Sequence, residues 1–153
     1  MANISSAGIY VDCKALLSWT RRLISHLSNK DRIHLGDYLV RENVEMIASF
    51  SLAYAASDER FTFDDGDTLY EGELKGQKRK YVEDVMGHYY AYVALFEEIF
   101  DNVQLERLSA EKRDKLHGVM IELLGKIDNG INRWQKGIYK QVIVSKTIRH
   151  NAV

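Results

Sequence analysis

The chain has 153 residues, 46% of them apolar and 28% charged, with a formal net charge of -1. That size and balance fit one folded domain with a real core, and they exclude a disordered chain and any general attraction to nucleic acid. It has no Pro and one Cys, so an intrachain disulfide is impossible and the composition points to helices rather than to Pro-bearing turns and sheet edges.

The first ten residues, MANISSAGIY, lack the basic and apolar blocks of a signal peptide, and no window approaches an uncharged membrane span. A cytoplasmic protein is expected. From about 11 to 28, Leu16, Trp19, Leu23, Ile24 and Leu27 recur at helical steps on one face, with Arg21 and Arg22 off it. A polar break, SNKDR, carries capping residues. The period then resumes from 33 to 56 with Leu35, Leu39, Met46, Ile47, Phe50 and Tyr54. Asn43 and Glu45 interrupt that apolar run, with Glu42 beside it, and are expected at a solvent edge or an oligomer seam.

The segment 57–74 breaks the helical pattern. RFTF, DDGD and TLYEGEL alternate around an Asp-Gly pair, which predicts a short β-hairpin or an ordered loop whose Phe61, Phe63, Leu69 and Tyr70 must find cover. A third helix is predicted over 77–102, with Val82, Val85, Met86, Tyr89, Val93, Phe96, Ile99 and Phe100 as its buried face. Tyr81, Tyr90 and Tyr92 widen that face beyond one stripe. Because Tyr favours surfaces half apolar and half wet, Tyr81, Tyr89, Tyr90 and Tyr92 are candidates for a subunit or partner interface, against plain core packing.

The fourth helix, 109–138, is the longest. Leu116, Val119, Met120, Leu123, Leu124, Ile127, Ile131, Trp134 and Ile138 make a stripe of about eight turns, with Ser109 as its cap and Glu111 complementing its positive pole. The tail 139–153 is rich in β-branched residues and reads as a strand, a fraying helix end or a basic arm. Four amphipathic helices with short links predict an all-α, antiparallel up-down four-helix bundle, one domain with the 57–74 segment inserted between helices two and three.

Two basic clusters are candidates for phosphate contacts. Arg133, Lys136, Lys140, Lys146 and Arg149 follow the last acidic residue of the chain, and the first three share a helical face. Arg21, Arg22, Lys30 and Arg32 gather around the first break. The plainer reading of both is a solvated helix end whose cations sit near the negative pole. Asp58, Glu59, Asp64, Asp65, Asp67, Glu71 and Glu73 make the insertion acidic, and Lys78, Arg79 and Lys80 just after it are expected to pair with it.

Catalytic chemistry has no residues to stand on. A di-metal bundle needs two Glu-x-x-His pairs and the chain has none; Asp114 and His117 have the spacing but not the Glu. The acidic insertion lacks the EF-hand order, no Gly-rich phosphate loop appears, and His26, His34, His88 and His117 sit at separate places with no Ser or Cys nucleophile pattern near them. Cys13 reads as a small buried hydrophobe. No cofactor or metal is expected, and no enzyme.

The order of these elements carries a family resemblance. A helix ends at the basic break NKDRIHLGDYL, and a second runs into SLAYAAS. After a Tyr-rich third helix comes LSAEKRDKLHGVMIELLGKIDNGINRW, with its LS start, ELLGKI centre and closing Trp134. Over about 11–138 the chain resembles the accessory variability determinant proteins of diversity-generating retroelements, within the four-helix family of 23S rRNA intervening-sequence proteins. The resemblance implies a homopentamer of bundles, non-catalytic, that binds the element's reverse transcriptase and its template RNA during mutagenic reverse transcription. Trp134 then marks where the core stripe gives way to a contact surface. The competing reading is a structural or adaptor oligomer acting through protein contacts alone.

Overall fold

The computed structural model describes residues 8–56 and 72–151, with side chains described over 8–56 and 78–136. Every regular element among the described residues is helical: α1 Gly8–Ile24, α2 Asp37–Ala55, α3 Gly72–Asn102 and α4 Ala110–Asn151. The all-α expectation holds there. The predicted hairpin and its aromatic residues lie outside the described residues, except that Gly72, Glu73 and Leu74 belong to α3.

In α1, Cys13, Leu16, Thr20 and Leu23 are buried at three- and four-residue steps, and Arg21 and Arg22 sit in the last turn where cations offset the helix dipole. The chain then tightens: His26 and Leu27 donate their N–H groups to the carbonyls of Leu23 and Ile24. Ser28 Oγ accepts from the Asp31 N–H at 3.2 Å and caps a single turn, Asn29–Asp31. A π-helical turn, Arg32–Gly36, follows before α2 begins. The sequence period counted this turn as the start of helix two, because apolar spacing alone does not separate a π turn from an α turn. Gly36 explains the tightness. A Cβ there would lie 3.0 Å from Leu27 Cδ1 and 3.1 Å from Ile24 Cγ2, so any larger residue would make these side chains shift to keep α2 this close to the end of α1.

The link between α3 and α4 is fastened in three ways. The Glu106 N–H donates to the His26 carbonyl at 2.7 Å, the Glu106 carbonyl lies 2.9 Å from His26 Nδ1, and Leu105 is buried. Arg107 takes a left-handed conformation with φ of 58° to make the turn. Ser109 then caps α4 as expected, its Oγ accepting from the Lys112 N–H at 3.2 Å.

The backbone of α4 is helical through Asn151, well past the expected end at 138. Of the alternatives for the tail, the strand is therefore corrected to helix within the described residues. The physical reason is that β-branched residues lower helix propensity by only a few tenths of a kcal/mol each, and extending a formed helix needs no new nucleus.

Helix α1 packs against α2 and α4, and α3 packs against the same two from the other side. Leu16, Leu23, Leu39, Met46, Val85, Tyr92, Phe96, Ile99, Met120, Ile127 and Ile131 form one continuous core. Ile9 meets α4 at Gly130, where an added Cβ would lie 2.8 Å from Ile9 Cγ1. Phe100 meets His117 edge-on at 4.8 Å and Phe96 stacks on it at 5.5 Å, while Arg113 donates to the Phe100 carbonyl and lies over its ring. Further along, Tyr89 donates its hydroxyl to the Leu124 carbonyl at 3.1 Å.

A polar cluster sits in the middle of this core. Thr20, Asn43 and Tyr92 are each fully buried. Thr20 Oγ1 lies 2.7 Å from the Leu16 carbonyl, 3.0 Å from Asn43 Oδ1 and 2.6 Å from the Tyr92 hydroxyl. One hydroxyl carries one proton, and the first two partners can only accept, so Tyr92 must donate to Thr20. Asn43 Nδ2 donates to the Cys13 carbonyl at 3.1 Å. Asn43 is thus corrected from solvent edge or seam to a core residue that ties α2 to α1, since burial without these partners would cost more than the helix could bear. Glu45 is exposed, as the solvent-edge reading has it, and Glu42 is half-buried against His88 Nδ1 at 2.6 Å.

Candidate nucleic-acid and partner interface

The two ends of α4 meet different company. Around Ser109 to Arg113 it lies beside the end of α1, the π turn and the end of α3. Around Gly130 to Trp134 it lies beside the start of α1, the end of α2 and the start of α3. Some twenty residues at 1.5 Å each separate these neighbourhoods by about 30 Å. The candidate cations divide between them and do not make one surface.

At the first end, Arg21, Arg22, Lys30 and Arg32 are all exposed. The Arg22 guanidinium covers the Trp19 ring at 4.6 Å, and Arg32 donates to Asn29 Oδ1 at 3.1 Å. Their field is diluted by residues the sequence keeps far away. The exit of α3 and the entry of α4 bring Glu97, Glu98, Asp101, Glu106, Glu111 and Asp114 to the same end, all exposed, beside Lys112, Arg113 and Lys115. Lys115 and Glu111 pair at 3.6 Å on a largely exposed surface. Mixed charge of this kind gives little net attraction for a polyanion beyond the ~8 Å screening length at physiological salt.

The second end holds fewer acidic residues among those described: Glu83 and Asp84, exposed on α3, and Asp128, half-buried on α4. Arg133 and Lys136 are exposed on α4, and no acidic residue follows Asp128 in the chain. Lys140, Lys146 and Arg149 lie further along the same helical backbone, with their side chains outside the described residues. Three more cations arrive from α3. Tyr81 and Trp134 pack against the same pair of buried residues, Ala53 and Val82, so Lys78, Arg79 and Lys80 stand at this end as well. Arg79 Nε contacts Glu83 one turn on, at 3.3 Å. The sequence assigned these three to the acidic insertion. Their place near Trp134 was not legible there because it depends on how α3 and α4 pair.

The aromatic candidates also separate. Tyr92 is corrected: its ring is fully buried, stacked on Phe96 at 6.3 Å, and its hydroxyl is used by Thr20, so it offers nothing to another molecule. Burial pushes its hydroxyl well above the ordinary tyrosine range. Tyr89 is half-buried; burial, then the Asp128 carboxylate and Tyr90, push it up to about 12. Tyr90 is the open one, 58% exposed and edge-on to Tyr89 at 5.6 Å. Tyr81 is half-buried, and so is Trp134, which meets Phe50 at 5.1 Å with their planes 61° apart.

Tyr90 is not alone as an exposed apolar group. Ile121 stands out on α4, and Val44 and Leu52 lie on an outer stripe of α2 with Ala48 and Ala55. Scattered exposed apolar residues are ordinary, but a stripe along one helix is the form a protein interface takes.

Among the described residues no three His, Cys, Asp or Glu side chains converge as metal ligands, and no helix is long and apolar enough to cross a membrane. Cys13 is buried, as expected, and burial followed by the Asp12 charge pushes its thiol up to about 12, so it is no nucleophile at neutral pH. No family model, curated protein or solved structure matches the chain.

Proposed function

We propose that this chain is a non-catalytic accessory protein that binds a reverse transcriptase and its template RNA or cDNA, as the resemblance to accessory variability determinants implies. The observation that carries the nucleic-acid part is the placement of Lys78, Arg79 and Lys80 on α3 at the same end as Arg133 and Lys136 on α4, a helix with no acidic residue after Asp128. Such a cluster supplies salt-dependent, sequence-independent phosphate contacts, and it explains how a chain of net charge -1 can bind a polyanion through one end.

The scaffold is an antiparallel up-down bundle. Its support is the order of contacts: Phe100 with Arg113, Phe96 with His117 and Tyr89 with Leu124 run in opposite senses along α3 and α4. Copies of the bundle assemble into a homo-oligomer, a pentamer if the resemblance extends so far, and the protein works in the cytoplasm. The apolar stripe on α2 and the exposed Tyr90 and Ile121 supply the faces for copies and for the reverse transcriptase. The same faces favour the second reading, an adaptor oligomer acting through protein contacts alone.

The two readings separate on the partner. Affinity purification of the tagged chain, co-expressed with a reverse transcriptase encoded beside its gene, retains that enzyme and template RNA under the first reading. Recovery of neither, or the absence of any such neighbouring gene, removes the retroelement assignment.

A further inference from the structure

We infer that the nucleic acid held at the Trp134 end is single-stranded, with an unpaired base stacked on Trp134 or Tyr81 while Lys80, Arg133 and Lys136 hold the flanking phosphates. This rests on the nucleic-acid reading above and goes beyond it, because cations alone bind duplex and single strand alike.

Three observations carry it. First, Trp134 and Tyr81 come from different helices, and both are half-buried and packed against the cluster of Ala53 and Val82. Second, exposed cations flank both rings in sequence, Lys80 beside Tyr81 and Arg133 beside Trp134, with Lys136 half a turn further on. Interleaved aromatic and basic groups are the chemistry of single-strand grooves, where each stacked base adds an attraction that a base locked in a duplex cannot give. Third, the other basic end lacks the feature. There the Arg22 guanidinium already lies over the Trp19 ring, and the Arg41 guanidinium lies 5.7 Å from the Tyr38 centroid, so those faces are shared with the protein's own cations. Trp134 is half-buried and meets Phe50 edge-on at 5.1 Å.

The chain has two tryptophans, which makes the test direct. A full-length Trp19→Phe variant keeps an aromatic ring under Arg22 and leaves Trp134 as the sole indole. It is titrated with a 20-nucleotide oligo-uridine and with a 20-base-pair RNA duplex, following both anisotropy of the labelled RNA and indole emission. The expected result is quenching of Trp134 by the single strand, and a preference for it of about tenfold for one stacked base. Trp134→Tyr, which keeps a ring, should retain most of that preference, and Trp134→Leu should abolish it; circular dichroism confirms that each variant is helical. Equal, salt-sensitive binding of both RNAs with no quenching overturns the stacking inference and leaves nucleic-acid binding standing. Binding of neither RNA overturns both.

Discussion

Replacing Thr20 with Val should destabilise the fold by about 2–4 kcal/mol, although the two side chains have nearly the same shape. The volume is kept, so no cavity forms, and the new methyl group gains less than about 1 kcal/mol from burial. Two fully buried groups lose a partner, however. The Tyr92 hydroxyl, which donates to Thr20 at 2.6 Å, is left with no acceptor, and Asn43 Oδ1 loses a neighbour at 3.0 Å. An unsatisfied buried polar group costs about 1–3 kcal/mol, so the sum outweighs the apolar gain. Tyr92→Phe alone should cost about 1 kcal/mol, because the Thr20 hydroxyl still has an acceptor for its proton. The double variant should be no worse than Thr20→Val alone, and should recover about 1–2 kcal/mol relative to additivity because neither partner is left stranded. Urea unfolding followed by circular dichroism measures all four corners of the cycle, with shifts of about 1–2 M in midpoint expected from usual slopes. A Thr20→Val cost under about 0.5 kcal/mol, or strict additivity, would refute the claim that this network is mutually satisfied.

The other predictions concern backbone, pH and charge. Gly118→Ala should stabilise α4 by up to about 1 kcal/mol, since a Cβ there meets nothing within 4 Å and alanine favours the helix. Gly36→Ala, facing methyl groups at 3.0 and 3.1 Å, should instead be neutral or destabilising, and urea midpoints distinguish the two. Folding stability should fall as pH rises from about 9 to 12. Cys13 and Tyr89 lose their protons first in the unfolded chain, near 9.0 and 10.0, and only near about 12 in the folded one, so the stability they lend is whole below 9 and is lost through that window. Cys13→Ala should flatten the lower part of this alkaline slope. Changing Asp64, Asp65 and Asp67 together to Asn should tighten RNA binding severalfold at low salt, because it removes three negative charges from the chain; affinity unchanged at 50 mM salt would count against that electrostatic picture.

Much of the fold was legible because periodicity reports burial. The stripes through Leu16 and Leu23, through Leu39 and Met46, and through Leu116 to Ile131 are the core. The misjudged residues were polar groups standing on those stripes. Asn43 follows Leu39 by four and precedes Met46 by three, so its position spoke for the core while its chemistry spoke for the edge. Tyr92 follows Val85 by seven and precedes Phe96 by four, which speaks for the core; the surplus of tyrosines around it speaks for an interface instead. Only Thr20 on a facing helix resolves both residues, and a partner more than twenty positions away leaves no local signal. The candidate site was legible by half for the same reason. The basic run after Asn129 is local, but its union with Lys78, Arg79 and Lys80, and the dilution of the other cluster by the acidic residues of α3 and α4, arise only from packing.

The central claim is that the Trp134 end binds nucleic acid through its phosphates. Its most direct measurement is the affinity for single-stranded RNA between 50 and 200 mM salt, for the native chain and for the Arg133→Glu, Lys136→Glu double variant. The claim predicts a linear fall of log affinity with log salt for the native chain, and a slope shallower by about 1.4 in the variant, from about 0.7 for each lost phosphate contact. Affinity that ignores salt, or a slope that the double reversal leaves unchanged, contradicts it.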